Sequence, residues 1–336
     1  MSKKLQFGLW YSFRNPNQWS VNSTELYTKH IEQIIRCEKI GYNDVWLTEH
    51  HFCEDGHAPS ILPLAAAVAV KTKTLQIGTG VLLLPQHNAV RVAEDCATID
   101  ILSGGRFELG VGIGYRPEEF TALGVDITKR AELIDEGLDV IKRLWSGDAV
   151  TYTGQHYQLD NTKLSPLPTK PHGPPLWVGG FAPAAPKRAA RVAAGYIGTG
   201  EMVEQSKIYL DEWDRINLTE RPRLAGGHFW LVASKNPNQT YKEIAPHVLY
   251  QIKVYNEWLS SAGQALFPEI SDAHQLKELG ILNCVSPQQA CDLIGEYAEE
   301  TGIERYYTWT VPPGYAVDKM NECLEIFAEQ VIPHFQ

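Results

Sequence analysis

The alternation of apolar and polar positions along the chain repeats one unit. A short, nearly continuous apolar run is followed by a longer stretch whose apolar residues return every three to four positions. Eight runs can be counted: "LQFGLWYS", "DVWLTEH", "LQIGTGVLLL", "RFELGVGIG", "PLWVGG", "GYIGTG", "GHFWLVAS" and "RYYTWTV". Apolar residues at consecutive positions mark parallel strands covered on both faces. In "STELYTKHIEQIIRCEKIG", Leu26, His30, Ile34 and Cys37 share one helical stripe and Gly41 supplies the stop. Strand and helix alternating eight times predict an α/β fold, a (β/α)8 TIM barrel, with a doubly wound open sheet as the competing arrangement. The region from about 240 to 286 is too long for one crossover and reads as an insertion after the seventh strand. "TYTGQHYQLDNTKLSPLPTKPHGPP" reads as a long connection opening in a short hairpin. No linker or internal repeat interrupts the order, so residues 1–336 read as one domain.

Composition narrows the function. Thirty basic against forty acidic side chains give a net charge of −10 without a basic cluster, which argues against nucleic-acid binding. No segment approaches the roughly 18 uninterrupted apolar residues of a membrane span. The opening Met-Ser-Lys-Lys runs into a strand pattern without the apolar stretch of a signal peptide. Six cysteines without CxxC spacing are expected as reduced thiols, and the protein as cytoplasmic.

In such a barrel the chemistry gathers at the carboxyl ends of the strands. There the chain places "TEHH", "GTGV", "GVGIGY", "GGFAPAAP" and "GTGE", and repeated glycine there signals close backbone approach or unusual φ. In "GGFAPAAPKRAARVAAG" a helix opens on small residues just after Gly179 and Gly180, a start that attracts phosphate, with Lys187 and Arg188 adding positive charge; a plain tight turn is the alternative. "GVGIGY" lacks the full Gly-x-Gly-x-x-Gly pattern, and "RPEEF" after it makes no smooth helix start, so a dinucleotide fold is rejected. For His50 and His51, metal ligation, proton handling and packing all stay open. Neighbouring strand residues point to opposite faces and no ligand spacing accompanies them, although His57 and His87 are candidate ligands. Glu49 could be an acid, a base or a salt-bridge partner.

The motifs "WLTEHHF", "GTGVLLLPQHNAVRVAEDCATIDILSGGRFELGVGIGY", "RAELIDEGLDVIKRLW" and "PLWVGG", in this order, resemble the bacterial luciferase-like flavin-dependent monooxygenases, a family of (β/α)8 barrels. The resemblance runs from "FGLWYS" to "FAEQVIPHF". It implies an oxidoreductase that takes reduced FMN from a separate NAD(P)H-dependent flavin reductase and forms a C4a-(hydro)peroxyflavin with O2. That species then oxidises a small, largely apolar organic substrate, without a metal.

Carried over by position, the resemblance makes His50 the catalytic residue, as base or hydrogen-bond partner, supported by Glu49 and His51. It gives Thr79, Gly80 and Val81 to a cis peptide bulge behind the flavin ring. Gly179, Gly180, Phe181, Ala184 and Ala185 match the phosphate segment, and Asn88, Gly112, Gly114 and Tyr115 complete the cofactor residues. Ala182 and Ala185 stand where luciferase has hydroxyls, and Gly112 and Ile113 replace its cysteine and arginine, so light emission is not implied. Arg106 and Arg130 are expected in ion pairs of the barrel shell. Trp10, Tyr11, Phe13, Trp19 and Trp309 are candidates for the mouth, Trp10 and Trp309 being the likelier core members. Residues 258–284 are the expected cover. The helices "SILPLAAAVAVKT" and "NAVRVAEDCATIDILS" are the homodimer face that the family implies. Two other readings remain: a deazaflavin-dependent hydride-transfer oxidoreductase, and a non-catalytic flavin-binding protein.

Overall fold

A computed structural model describes residues 4–192, 194–263 and 267–336. Eight parallel strands close on themselves: β1 (Gln6–Tyr11), β2 (Asp44–Leu47), β3 (Gln76–Thr79), β4 (Phe107–Gly112), β5 (Leu176–Gly179), β6 (Gly195–Ile197), β7 (Leu224–Gly226) and β8 (Arg305–Trp309). Each pairs with the next, and β8 returns to β1. A helix follows each strand: α1 (Ser23–Ile40), α2 (Ile61–Lys71), α3 (Ala89–Ser103), α4 (Arg130–Leu144), α5 (Ala184–Arg191), α6 (Val203–Ile216), α7 (Pro287–Thr301) and α8 (Val317–Gln330). The expected (β/α)8 barrel is the architecture found. No helix among the described residues is long and apolar enough to cross a membrane.

Local chemistry explains the boundaries. Asn22 caps α1 by accepting the Glu25 N–H, and Gly41 ends it at φ +106°. The hairpin after α4 is present, pairing Val150–Thr153 with Gln158–Thr162. The seventh strand is corrected. The apolar run "GHFWLVAS" is not the barrel strand, which is the shorter Leu224–Gly226 just before it. Apolar residues continue across both, so periodicity alone hides the break. A Cβ on Gly227 would lie 1.8 Å from the Tyr307 carbonyl oxygen, and only glycine lets the chain leave the barrel wall there. Trp230–Ala233 then pairs with Leu282–Val285 in a separate parallel ribbon. Between them run the helices Pro237–Ser261 and Ala273–Glu278.

The barrel interior holds a charged layer. Glu108 accepts both guanidinium arms of Arg305, at 2.8 and 2.9 Å, and the Trp177 indole N–H at 2.5 Å. Asp44 accepts the Trp46 indole N–H at 2.5 Å. Gly78 and Gly195 make room for these indoles, since a Cβ on either would fall 2.3 Å from a ring carbon.

Candidate active site

The segment after β2 turns its side chains to two separate clusters. His50 is buried, and its Nδ1 lies 2.9 Å from Glu119 Oε1. An ionised carboxylate can only accept, so Nδ1 carries the hydrogen and Nε2 keeps its lone pair. That lone pair accepts from the Tyr115 hydroxyl at 3.3 Å. Glu119 also accepts the His51 backbone N–H and Arg116 Nη1, each at 2.9 Å. Burial alone would push its carboxyl up, but the bonds from His50 and His51 and the Arg116 charge bring it down to about 2. Burial, and behind it Arg14 and Arg116, hold the His50 imidazole below its ordinary value against the pull of Glu119. A neutral, oriented imidazole beside a fixed carboxylate is built to take up or return a proton at Nε2.

The second cluster lies around Glu49, whose Oε1 accepts from Nε2 of His51 at 2.9 Å and of His87 at 2.7 Å. Its Oε2 accepts the Leu83 N–H at 2.6 Å. Burial raises the Glu49 carboxyl, yet the two imidazole bonds outweigh it and the net shift is downward. Of the two candidate ligands, His87 comes back to Glu49 and His51 through the turn after Leu84–Gln86.

A cavity of about 310 Å³ opens at the carboxyl ends of the strands. His50, Glu49, Gly80, Val81, Gly112, Gly114, Tyr115, Gly179, Gly180, Phe181, Ala184 and Ala185 all line it. The Gly80–Val81 peptide bond is cis. Val81 sits in a glycine cradle: a Cβ on Gly112 would lie 2.5 Å from one of its methyl carbons, and one on Gly179 2.8 Å from the other. No side chain caps the start of α5, and Arg130 and Arg188 line the same cavity. An apolar bulge between bare glycines, with an uncapped helix start and two guanidinium groups, fits a flat ring carrying an anionic tail.

Two candidates stand elsewhere. Thr79 is fully buried, and its hydroxyl exchanges hydrogen bonds with the Gly110 backbone at 2.6 and 2.9 Å, fastening β3 to β4. Asn88 caps α3, accepting from the N–H groups of Val90 and Arg91. The charge expectations also change. Arg106 donates to carbonyls of Ala69, Thr72, Leu75 and Ser103, and Arg130 donates to the Ile127 carbonyl while lining the cavity. "RPEEF" does open a short helix, Pro117–Ala122, with proline in its first turn.

Trp10 and Trp309 are buried core members, as expected, and they also reach the cavity. Trp10 and Trp309 stack with centroids 5.1 Å apart and line the cavity, whereas Tyr11 and Phe13 pack outward around His30. Trp19 lies against His247. The expected cover, residues 258–284, begins too late, and its residues 264–266 lie outside the described residues. Gln251, Ile252, Tyr255 and Leu259 of the helix Pro237–Ser261 form the stripe over the cavity, joined by Phe267. That helix is pinned from the barrel side. Arg14, ion-paired to Asp55 at 2.8 Å, has its guanidinium carbon 4.7 and 4.9 Å from the Tyr255 and Trp258 ring centroids. Arg116 lies 4.2 Å over Trp258, whose ring is 4.9 Å from His50.

Comparison with known proteins places the chain in a family. A flavin-dependent trigonelline monooxygenase, oxygenase component, from Acinetobacter baylyi is 24% identical over 332 residues, 93% of this chain and 90% of that protein. An F420-dependent glucose-6-phosphate dehydrogenase from Amycolatopsis mediterranei is 34% identical over 176 residues, 50% of this chain and 52% of that one. The match thus spans only about half the length of that relative. The crystal structure of monooxygenase RslO1 from Streptomyces bottropensis superposes with a TM-score of 0.87 at 18% identity, covering 99% of this chain and 100% of that one. The family model described as luciferase-like monooxygenase matches residues 5–249, most of the chain. The barrel, the cis bulge between glycines and the "TEHHF" segment thus stand in a protein that belongs to the luciferase-like monooxygenase family.

Proposed function

We propose that the chain is the oxygenase of a two-component system, using reduced FMN from a separate NAD(P)H-dependent reductase and O2 to oxidise a small, largely apolar substrate. The observation carrying this reading is that one cavity joins neutral His50, whose Nε2 faces the Tyr115 hydroxyl, to the cis peptide at Gly80–Val81. Bound reduced flavin supplies two electrons and the place where O2 is activated; one oxygen atom goes to the substrate and the other leaves as water. Gly112, Gly179 and Val81 would seat the ring, while Arg130, Arg188 and the start of α5 would hold the phosphate. His50 would give or take the proton at Nε2, and Tyr115 would share it. Tyr255, Leu259 and Phe267 would keep water from the reacting atoms. A cavity of about 310 Å³ is at the small end of ligand sites, so little room stays beside a flavin ring. That limit, with the aromatic lining, supports a small apolar substrate.

The F420-dependent relative supports a second reading, hydride transfer with a deazaflavin and no oxygen. The two separate cleanly in one experiment. With reduced FMN and a substrate panel, oxygen uptake accompanied by ¹⁸O in the product is expected; tight deazaflavin binding without oxygen uptake would refute the FMN reading. Arg130→Ala should weaken FMN about tenfold and leave riboflavin, which lacks the phosphate, nearly unchanged in fluorescence-quenching titrations. Equal losses for both ligands would remove Arg130 from the phosphate site.

We also propose a homodimer through α2 and α3. Val70, Ile101 and Leu102, near the C-terminal ends of these helices, are 59%, 43% and 46% exposed, much for aliphatic side chains. Light scattering should give twice the chain mass for the wild type and the chain mass for Ile101→Glu; a monomeric wild type ends this reading. The six unpaired thiols fit a cytoplasmic setting, which cell fractionation checks.

A further inference from the structure

We infer that Glu49, His51 and His87 form a binding site for one divalent transition-metal ion, zinc being the ion best suited to these ligands. The three come from two segments, the end of β2 and the turn after Leu84–Gln86, and their ligand atoms lie within 4.8 Å of one another. Both imidazole Nε2 atoms are aimed at one carboxylate oxygen, at 2.9 and 2.7 Å. Without their hydrogens, the two imidazole lone pairs face that anionic oxygen, and an ion would enter between the three ligand atoms. Bonds of about 2.0–2.1 Å in a tetrahedron separate ligand atoms by about 3.3 Å, so the cluster must open by roughly half an ångström.

The surroundings favour that ion. Glu49 Oε2 is held by the Leu83 N–H at 2.6 Å, which fixes the carboxylate as outer-shell partners of metal ligands do. The Glu49 side chain is wholly buried, while His51 and His87 keep 12% and 27% of theirs exposed, leaving a path for the ion and for water as fourth ligand. Two imidazoles and one carboxylate select zinc, iron, nickel or copper over magnesium and calcium, which prefer all-oxygen shells. His50 lies outside the cluster, because its Nδ1 bonds Glu119 and its Nε2 faces the Tyr115 hydroxyl, not Glu49. The site adjoins the cavity through Glu49 and Leu83 but does not depend on which flavin, if any, binds there.

Titrating Co²⁺ into the full-length chain should produce visible d–d absorption that saturates at one ion per chain and is erased by Zn²⁺. His51→Ala and His87→Ala should each abolish it. His50→Ala and exposed His274→Ala should retain it. Should circular dichroism show that an alanine variant is unfolded, His87→Gln is read in its place. Absence of saturable absorption in the wild type, or its survival in the folded His51 and His87 variants, would overturn the site. The three residues would then be a hydrogen-bonded cluster alone.

Discussion

Replacing His50 with alanine is expected to lower kcat for oxygenation by about 100- to 10,000-fold, the range for losing a positioned acid or base. Flavin affinity should hold, because in the proposed binding mode Val81, Gly112 and Gly179 would seat the ring and the imidazole would not. The same measurement on Glu119→Gln tests orientation separately from chemistry. Glu119 touches Nδ1, not the cavity-facing Nε2, so its amide leaves the base in place but no longer fixes which nitrogen carries the hydrogen. Loss of the matching carboxylate in other oriented imidazoles costs up to about 10,000-fold. In Glu119→Gln, kcat should fall with KM and flavin affinity nearly unchanged. Full activity in both variants, with a substrate found by oxygen uptake, would take His50 out of the reaction. A rise in KM alone would make Glu119 a merely structural residue.

The largest effect on stability is expected inside the barrel. Glu108→Ala leaves Arg305 charged, nine-tenths buried and without its bidentate partner, and frees the Trp177 indole N–H as well. Breaking one side of a buried pair costs on the order of 3–5 kcal/mol, to be read as a lower urea midpoint. A wild-type midpoint would mean that water replaces the carboxylate without loss. Asp44, in the same layer, has the opposite sign. Burial, with the Glu108 charge adding to it and Arg305 opposing, raises its carboxyl from 3.8 to about 6. A group that holds its proton more tightly when folded favours folding at low pH. Its contribution therefore falls as pH rises from 3.8 to about 6 and stays lost above. Asp44→Asn should then raise the urea midpoint more at neutral pH than at mildly acidic pH. Equal shifts at both would contradict it.

What could be read in the sequence was what short stretches carry by themselves. "TEHHF", "GTGV" and "GGFAPAAP" place a histidine, a bulge and a helix start within a few residues each, and all three reach the cavity. What escaped depends on distant partners. Glu119 meets His50 from 69 residues away, and His87 reaches Glu49 from 38 residues away. "RPEEF" was dismissed as a helix start although proline suits the first turn, and Glu119 was lost with it. Trp10 and Trp309 are core residues, as read, yet they also line the cavity, a double role that periodicity does not resolve. Asn88 came to the cofactor set by family position alone, whereas in the structure its side chain caps α3.

The long helix Pro237–Ser261 changes how this barrel can diversify. Its Gln251, Ile252 and Leu259 form a replaceable face, while Arg14, paired to Asp55, clamps the helix through Tyr255 and Trp258. The glycine cradle and the cis bulge come from a different part of the chain, before residue 181. Substitutions along that one stripe can therefore be explored by selection or in a library without disturbing the glycine cradle on the barrel wall. One scaffold of this kind can be retuned to a succession of substrates by rewriting a single helical turn at a time.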